Sequence, residues 1–335
     1  MPPLSEEFFA GAVSTEMKDG ALKPWRVDHS KKLLFPSDEA ETLLEKMGFT
    51  SGIRLRFETD APGVKLNILP EEAGRNFDLV DGANNLVQTF LLPPGEKTVK
   101  FSLPGEGNRF EIWLPQGAPA AVEGFEAEGE YGINPLPDRR PRWTAYGSSI
   151  TQCASAHSPS RTWPGIAGRA RNLNLTCLGF GGQCHSEPMA ALMLRDLPAD
   201  VFTLKLGINI YGQGSLSPRT FKPAVIGLVR IIREKHPETP IGVISPIISP
   251  SREKTVNSAG FTLEAMRDEL QDAVSRLGKS GDDELFYFDG RELFGEELAE
   301  NHLPDGVHPD GDGYEIMGKN AAEKVLPVLL EKEKN

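Results

Sequence analysis

Arg142-Trp143-Thr144-Ala145-Tyr146-Gly147-Ser148-Ser149-Ile150-Thr151-Gln152 is the stretch on which the fold turns. An apolar-leaning run reaches a glycine, and two serines open a polar segment. This pattern predicts a strand, a tight turn and a serine presented at the strand's C-terminal end. Upstream of it the chain reads as all-β; downstream, strand and helix alternate.

Before residue 130 the hydrophobic pattern has period two. Ile53, Leu55 and Phe57 alternate with Arg54 and Arg56, and Val64, Leu66 and Ile68 with Lys65 and Asn67. Val99, Phe101 and Leu103 repeat it, as do Phe110, Ile112 and Leu114. Such alternation gives a strand one buried and one wet face. Asp60-Ala61-Pro62-Gly63, Asp81-Gly82 and Pro93-Pro94-Gly95 supply turns between these runs. The expectation is an antiparallel sandwich or jelly roll beginning near residue 50. Trp25, Phe110 and Trp113 are expected in its core rather than on a sugar-binding face. Pro135, Pro137 and Pro141 cannot continue a central strand or a helix, so a linker is expected there. Residues 1–138 then form an accessory β domain and residues 139–335 a second domain.

In that second domain, helices are expected at 163–172, 187–195, 218–235, 262–277 and 314–331. Strands are expected at 173–178, 201–206, 241–244 and 285–288. Alternation of this kind implies a parallel sheet covered on both faces, with chemistry beyond the strands' C-terminal ends. Ser149, the Gly179–Gly182 turn and Asn209 each follow a strand and should gather at one edge.

Acyl transfer through serine needs a nucleophile, a base, an orienter for the base and donors for the oxyanion. Ser149 is a candidate nucleophile. In Asp305-Gly306-Val307-His308, His308 is a candidate base and Asp305 its partner. Asn209 carries an amide that can donate to an oxyanion, and Gly182 can expose its backbone N–H because no Cβ blocks it. His308 could instead merely cap the following helix, a task Asp310 or Asp312 could also perform. His185, Ser148 and Tyr211 are candidates for lining the substrate. Cys184-His185 invites a thiol-nucleophile reading, but adjacent residues rarely point at one another. The Gly179-x-Gly181-Gly182 and Gly278-Lys279-Ser280 stretches lack the remaining glycines of a dinucleotide or phosphate loop.

These blocks resemble those of the SGNH (or GDSL) hydrolases. Gly147-Ser148-Ser149-Ile150-Thr151 is similar to their first block and Gly179-Phe180-Gly181-Gly182 to their second. Gly207-Ile208-Asn209 is similar to the third and Asp305-Gly306-Val307-His308-Pro309 to the last. The resemblance implies a flavodoxin-like three-layer domain with Ser149, His308 and Asp305 as catalytic residues. It also implies an oxyanion hole of the Ser149 and Gly182 N–H groups with the Asn209 side chain, and no metal or cofactor. Ser148 stands where the family usually has Asp, and Ile210 follows Asn209 where Asp is usual. The whole chain is similar in layout to two-domain members with a leading β-sandwich, including certain carbohydrate esterases and an acyltransferase of tetracycline tailoring.

The implied activity is a serine esterase acting on short-chain O-acyl esters, acetyl foremost, of a saccharide or small hydroxylated molecule. Transfer of the acyl group to a hydroxylated acceptor is the alternative. A non-catalytic carbohydrate-binding protein on the same fold is the second. A formal net charge of −12 excludes a general nucleic-acid or anionic-membrane binder. No apolar run approaches the roughly 20 residues of a membrane span. Met1–Glu7 is too polar for a secretory leader, and three cysteines offer no disulfide framework. The expectation is a cytoplasmic protein; the sequence sets no oligomeric state.

Overall fold

A computed structural model of the chain describes residues 4–35, 42–105 and 107–331. Met1, Pro2 and Pro3 of the polar N-terminal stretch lie outside them. Two antiparallel sheets face one another in the N-terminal part. One runs in the order Phe9–Ala10, Arg54–Glu58, Arg109–Trp113, Arg75–Asp81, Leu86–Leu92, with Asn134–Pro135 also paired to Arg54–Glu58. The other runs Ser14–Lys18, Ala21–Trp25, Val122–Ala127, Gly63–Ile68, Thr98–Ser102. The alternating apolar residues Leu55, Phe57, Val64, Leu66, Val99 and Phe101 close the core between them. The sandwich is as expected, but it begins earlier, since Ser14–Lys18 and Ala21–Trp25 form a hairpin ahead of residue 50. Asp19 and Gly20, both at positive φ, make its two-residue turn.

The third sheet is parallel, in the order Asn174–Gly179, Arg142–Gly147, Val201–Lys205, Ile241–Ile244, Leu285–Phe288. Counting from Arg142–Gly147 as the first strand, this is the doubly wound order 2-1-3-4-5. Val201–Lys205 and Ile241–Ile244 are buried at every residue, as strands covered on both faces must be. Helices Pro188–Asp196, Pro218–Arg233 and Leu263–Lys279 pack in series, and Trp163–Ala170 packs against Gly311–Asn320. Phe221, Val225, Leu228 and Ile232 form the buried stripe of Pro218–Arg233. The closing helix expected at 314–331 differs. It starts at Gly311 and widens into a π turn at Ala321–Val325 before Leu326–Leu330. Pro327 has no N–H to continue the ladder, so the interruption falls just ahead of it.

Trp25, Val27, Met47 and Trp113 of the N-terminal part join the core of the parallel-sheet part. Beside them lies a buried ionic joint. Arg54 donates to Asp138 (2.8 Å), Asn174 Oδ1 (2.7 Å) and Leu175 O (2.9 Å), while Arg140 pairs with Glu111 (2.6 Å) and Asp138 (2.6 Å). Burial works to raise the Asp138 carboxyl, but the arginines outweigh it and hold it at about 2. Among the described residues, no helix is long and apolar enough to cross a membrane.

Candidate active site

The site lies where the doubly wound sheet reverses direction, between Arg142–Gly147 and Val201–Lys205. After Gly147 the chain turns directly into a helical turn, Ser149–Gln152, which rests on two glycines. A Cβ on Gly147 would collide with Thr151 Oγ1, and one on Gly179 with the Gln152 backbone nitrogen. Ser148 caps this turn, its hydroxyl accepting the Ile150 N–H at 3.2 Å. At 1% exposure Ser148 does not line a substrate site; the cap occupies its side chain. Ser149 is the first residue of the turn, so its N–H has no intrahelical acceptor.

The Ser149 hydroxyl lies 2.8 Å from His308 Nε2. His308 Nδ1 lies 2.6 Å from Asp305 Oδ2. The other oxygen of Asp305 accepts the N–H groups of Val307 (2.9 Å) and His308 (2.7 Å). Burial works to raise the Asp305 carboxyl, but these bonds and the imidazole prevail and hold it at about 2. The cap of the next helix, Gly311–Asn320, is Asp310, which accepts the Gly313 N–H at 2.7 Å. His308 is thereby left to face Ser149.

Asn209 stands in the short helix Ile208–Gln213, entered through Gly207 at φ 114°. Its Oδ1 accepts the Cys184 N–H at 3.1 Å. An amide oxygen so engaged leaves the amino group as the donor on the opposite side. Gly182 sits at φ 72°, and its carbonyl accepts from His185 Nε2 (3.0 Å) and Gln213 Nε2 (2.7 Å). His185 Nδ1 lies 2.7 Å from Ser215 Oγ. Tyr211 is 7% exposed, and its hydroxyl donates to Thr255 O at 2.9 Å. It is a core residue rather than a lining one, because its polar end is already satisfied. Cys184 is buried, which pushes its thiol up to about 12, so the Cys184-His185 pair holds no nucleophile. His236 and His302 are half-buried. The ring of His236 packs edge-on against Phe202 at 4.9 Å, and His302 Nδ1 lies 3.2 Å from Asp310.

The N-terminal part holds the backbone of this site, which the sequence did not reveal. Arg26, 0% exposed, donates to Gly179 O (2.6 Å), Cys177 O (3.3 Å) and Lys46 O, with its guanidinium 4.9 Å from the Phe180 ring. It thus grips the strand end that leads into the Gly182 turn. Ser51 Oγ donates to Gln152 O (3.0 Å) and Gln116 Nε2 to Ala156 O (3.1 Å). Asp78 Oδ2 accepts from Ser158 Oγ (2.6 Å) and Ser160 N (2.8 Å). These bonds hold the loop that follows Ser149.

Several known proteins resemble the chain. The salicylyl-acyltransferase SsfX3 from a tetracycline biosynthetic pathway is 29% identical, with a TM-score of 0.87 over 98% of this chain and 95% of that one. A protein described as a GDSL-like lipase from Bacteroides ovatus has a TM-score of 0.76 at 22% identity, over 96% of this chain and 95% of that one. A family two carbohydrate esterase from Cellvibrio japonicus has a TM-score of 0.65 at 13% identity, over 98% of each chain. The last two are likenesses of fold. No curated protein sequence matches the chain. The model of the GDSL-like lipase/acylhydrolase family matches residues 142–329, more than half of the 335. With a β-sandwich leading a parallel α/β domain of SGNH type, the chain belongs to the GDSL-like lipase/acylhydrolase family of hydrolase and acyltransferase enzymes.

Proposed function

We propose that the chain transfers an acyl group from an O-acyl ester through an acyl-serine intermediate on Ser149. Residues 139–335 form the catalytic domain and residues 1–138 the domain that braces it. The observation carrying this reading is the hydrogen-bonded line from Ser149 Oγ through His308 to Asp305, at 2.8 and 2.6 Å. Ser149 Oγ attacks the ester carbonyl carbon as its proton passes to His308 Nε2. The carbonyl oxygen becomes an oxyanion, facing the N–H groups of Ser149 and Gly182 and the amino group of Asn209. The intermediate then collapses, and His308 returns the proton to the departing alcohol. Asp305 holds the imidazole tautomer with its proton on Nδ1 and offsets the positive charge that develops. In the second half an incoming hydroxyl gives its proton to His308 and takes the acyl group from Ser149, whose departing oxygen regains the proton from His308. No step draws on a metal or an organic cofactor.

The incoming hydroxyl belongs to a small or saccharide acceptor in the reading favoured here. Its support is the 29% identity, spread over nearly the whole chain, to an enzyme described as a salicylyl-acyltransferase. Water as the incoming group makes the chain an esterase, and the fold shared with carbohydrate esterases supports that second reading. Incubating an aryl ester with and without hydroxylated acceptors, and analysing products by mass, separates the two. Acylated acceptor accumulating ahead of free acid is the expected result; free acid alone at every acceptor concentration points to hydrolysis. A Ser149→Ala protein as active as wild type overturns both.

A further inference from the structure

A cavity of about 630 Å³ opens where the β-sandwich, residues 136–141 and the start of the parallel sheet meet. Arg56, Arg109, Arg139 and Arg140 line it, against two carboxylates, Asp81 and Glu111. We propose that this cavity binds a small polyanion, a compact molecule carrying two or more carboxylate or phosphate groups. The inference does not depend on the acyl-serine reading.

Three observations carry it. The first is a surplus of positive charge in the network behind the cavity. Arg54, Arg56 and Arg140 share two carboxylates. Glu111 accepts from Arg56 Nε (2.8 Å) and Arg140 Nη2 (2.6 Å), and Asp138 from Arg54 Nη2 (2.8 Å) and Arg140 Nη2 (2.6 Å). All five side chains are 13% exposed or less, so one guanidinium charge in this network has no carboxylate to offset it. Burial lowers the Arg54 pKa, and the Arg140 and Arg56 charges push it the same way, against Glu111 and Asp138. A shielded cation is costly unless paired, and a bound anion supplies the missing partner.

The second is that the rim adds further cations with little to hold them. Arg139 is exposed and has no acidic partner among the described residues. Arg109 is 65% exposed, and its Nε lies 3.9 Å from Glu58, too far for a hydrogen bond. Asp81 is turned to its own loop, where it accepts Ala83 N (2.9 Å), Asn85 N (2.8 Å) and Asn85 Nδ2 (3.1 Å). The lining therefore carries two positive charges in excess, in a chain whose net charge is −12.

The third is place. Seams between domains are frequent ligand sites, and this one includes Pro141 and Asn172, just ahead of strands Arg142–Gly147 and Asn174–Gly179. Ser149 and Gly182 follow the opposite ends of those strands. At about 3.3 Å per residue the two places are roughly 20 Å apart, so the polyanion is a second ligand and not the ester that reacts.

Isothermal titration of the full chain with citrate and, separately, with inorganic pyrophosphate reads the site, at an ionic strength held constant with sodium chloride. One saturable site per chain is expected for at least one probe, and the tighter of the two tells whether the site takes carboxylates or phosphates. Arg109→Ala and Arg139→Ala should each weaken that Kd about tenfold, since both are exposed and stand outside the buried network. Lys100→Ala removes an exposed cation from the other sheet of the sandwich and should leave Kd unchanged. At a hundredfold excess of probe over the wild-type Kd, the melting temperature of wild type should rise by about 5 °C, and that of Arg109→Ala/Arg139→Ala by less than about 1 °C. Absence of saturable binding for both probes up to about 10 mM overturns the proposal. So does a Kd unchanged in both arginine variants. A loss in Lys100→Ala equal to that in Arg139→Ala also defeats it, because general surface charge rather than a site then attracts the probe.

Discussion

The proposed catalytic edge and the sandwich surface that braces it are held together by opposite means. At the edge, Ser149, His308 and Asp305 are half-buried or exposed and bond side chain to side chain. Across the brace, Arg26, Ser51 and Gln116 are buried and bond side chain to backbone carbonyl. The edge must stay open because a substrate has to enter and a proton has to move. The brace can be dry, and a hydrogen bond shielded from water is stronger and more directional. The turns at Ser149 and Gly179–Gly182 thus have their backbone fixed from the β-sandwich. A reactive serine needs only a few neighbours, but presenting the Ser149 and Gly182 N–H groups together requires two separate loops in register.

Substitutions on either side of this contrast should differ in kind, and the largest effect belongs to the edge. Ser149→Ala should lower kcat by about 10⁴- to 10⁶-fold with the fold intact, read on an activated aryl ester; a loss below tenfold would place the nucleophile elsewhere. Asn209→Ala should cost about 10²- to 10³-fold in kcat with little change in KM. If KM rises instead, Asn209 binds substrate and does not serve the oxyanion.

Arg26→Met tests the brace. It leaves the Gly179, Cys177 and Lys46 carbonyls without their buried donor, and should lower the unfolding free energy by about 3 kcal/mol. With the Gly182 turn less well placed, kcat should fall about 10- to 100-fold, since a displacement near 1 Å is enough for that. A stability loss without a kcat loss would make the brace purely structural. Gln116→Ala loses an ordinary hydrogen bond and should cost about 1 kcal/mol, with activity unchanged; denaturant unfolding reads it.

Lys205 sharpens the contrast by pH. It is 2% exposed, at the end of the strand beside Gly147, and burial brings its ammonium down to about 7 from the ordinary 10.5. Between those two values the unfolded chain holds a proton that the folded chain lacks, so stability rises with pH across that window. Below about 7 both states are protonated and the penalty of a buried charge is complete. Lys205→Met should therefore raise the melting temperature most on the acid side, by an amount that shrinks toward pH 10. A constant difference across the range would show that Lys205 does not titrate there.

Much of the edge was legible because its signals are local. Glycine spacing marks the turns at Gly147, Gly179 and Gly207, and the period of the apolar residues separates sandwich from doubly wound sheet. Asp305 and His308 share one tight loop, so three residues of sequence suffice to suggest their pairing. Where local reasoning failed, the cause was tertiary. Ser148 and Tyr211 looked available for substrate, but a helix cap and a buried carbonyl had taken their polar atoms. The Asp19-Gly20 turn dipeptide is a local signal too, but the strands it joins, Ser14–Lys18 and Ala21–Trp25, do not alternate cleanly, so periodicity does not mark them.

By itself the sequence determined the two kinds of sheet, the order of the strands along the chain and the small set of side chains able to do acyl chemistry. These follow from periodicity, turn residues and reactive groups, all properties of neighbours in the chain. Only the tertiary structure decided that Ser149 and His308, 159 residues apart, meet at 2.8 Å, and that Arg26 reaches across 153 residues to hold the turn before Gly182. It also decided that Arg56, Arg109, Arg139 and Arg140 surround one cavity. The physical reason is that such contacts come from the packing of whole layers: a buried guanidinium seeks whichever carbonyls the fold leaves without donors, and no local pattern records which those will be.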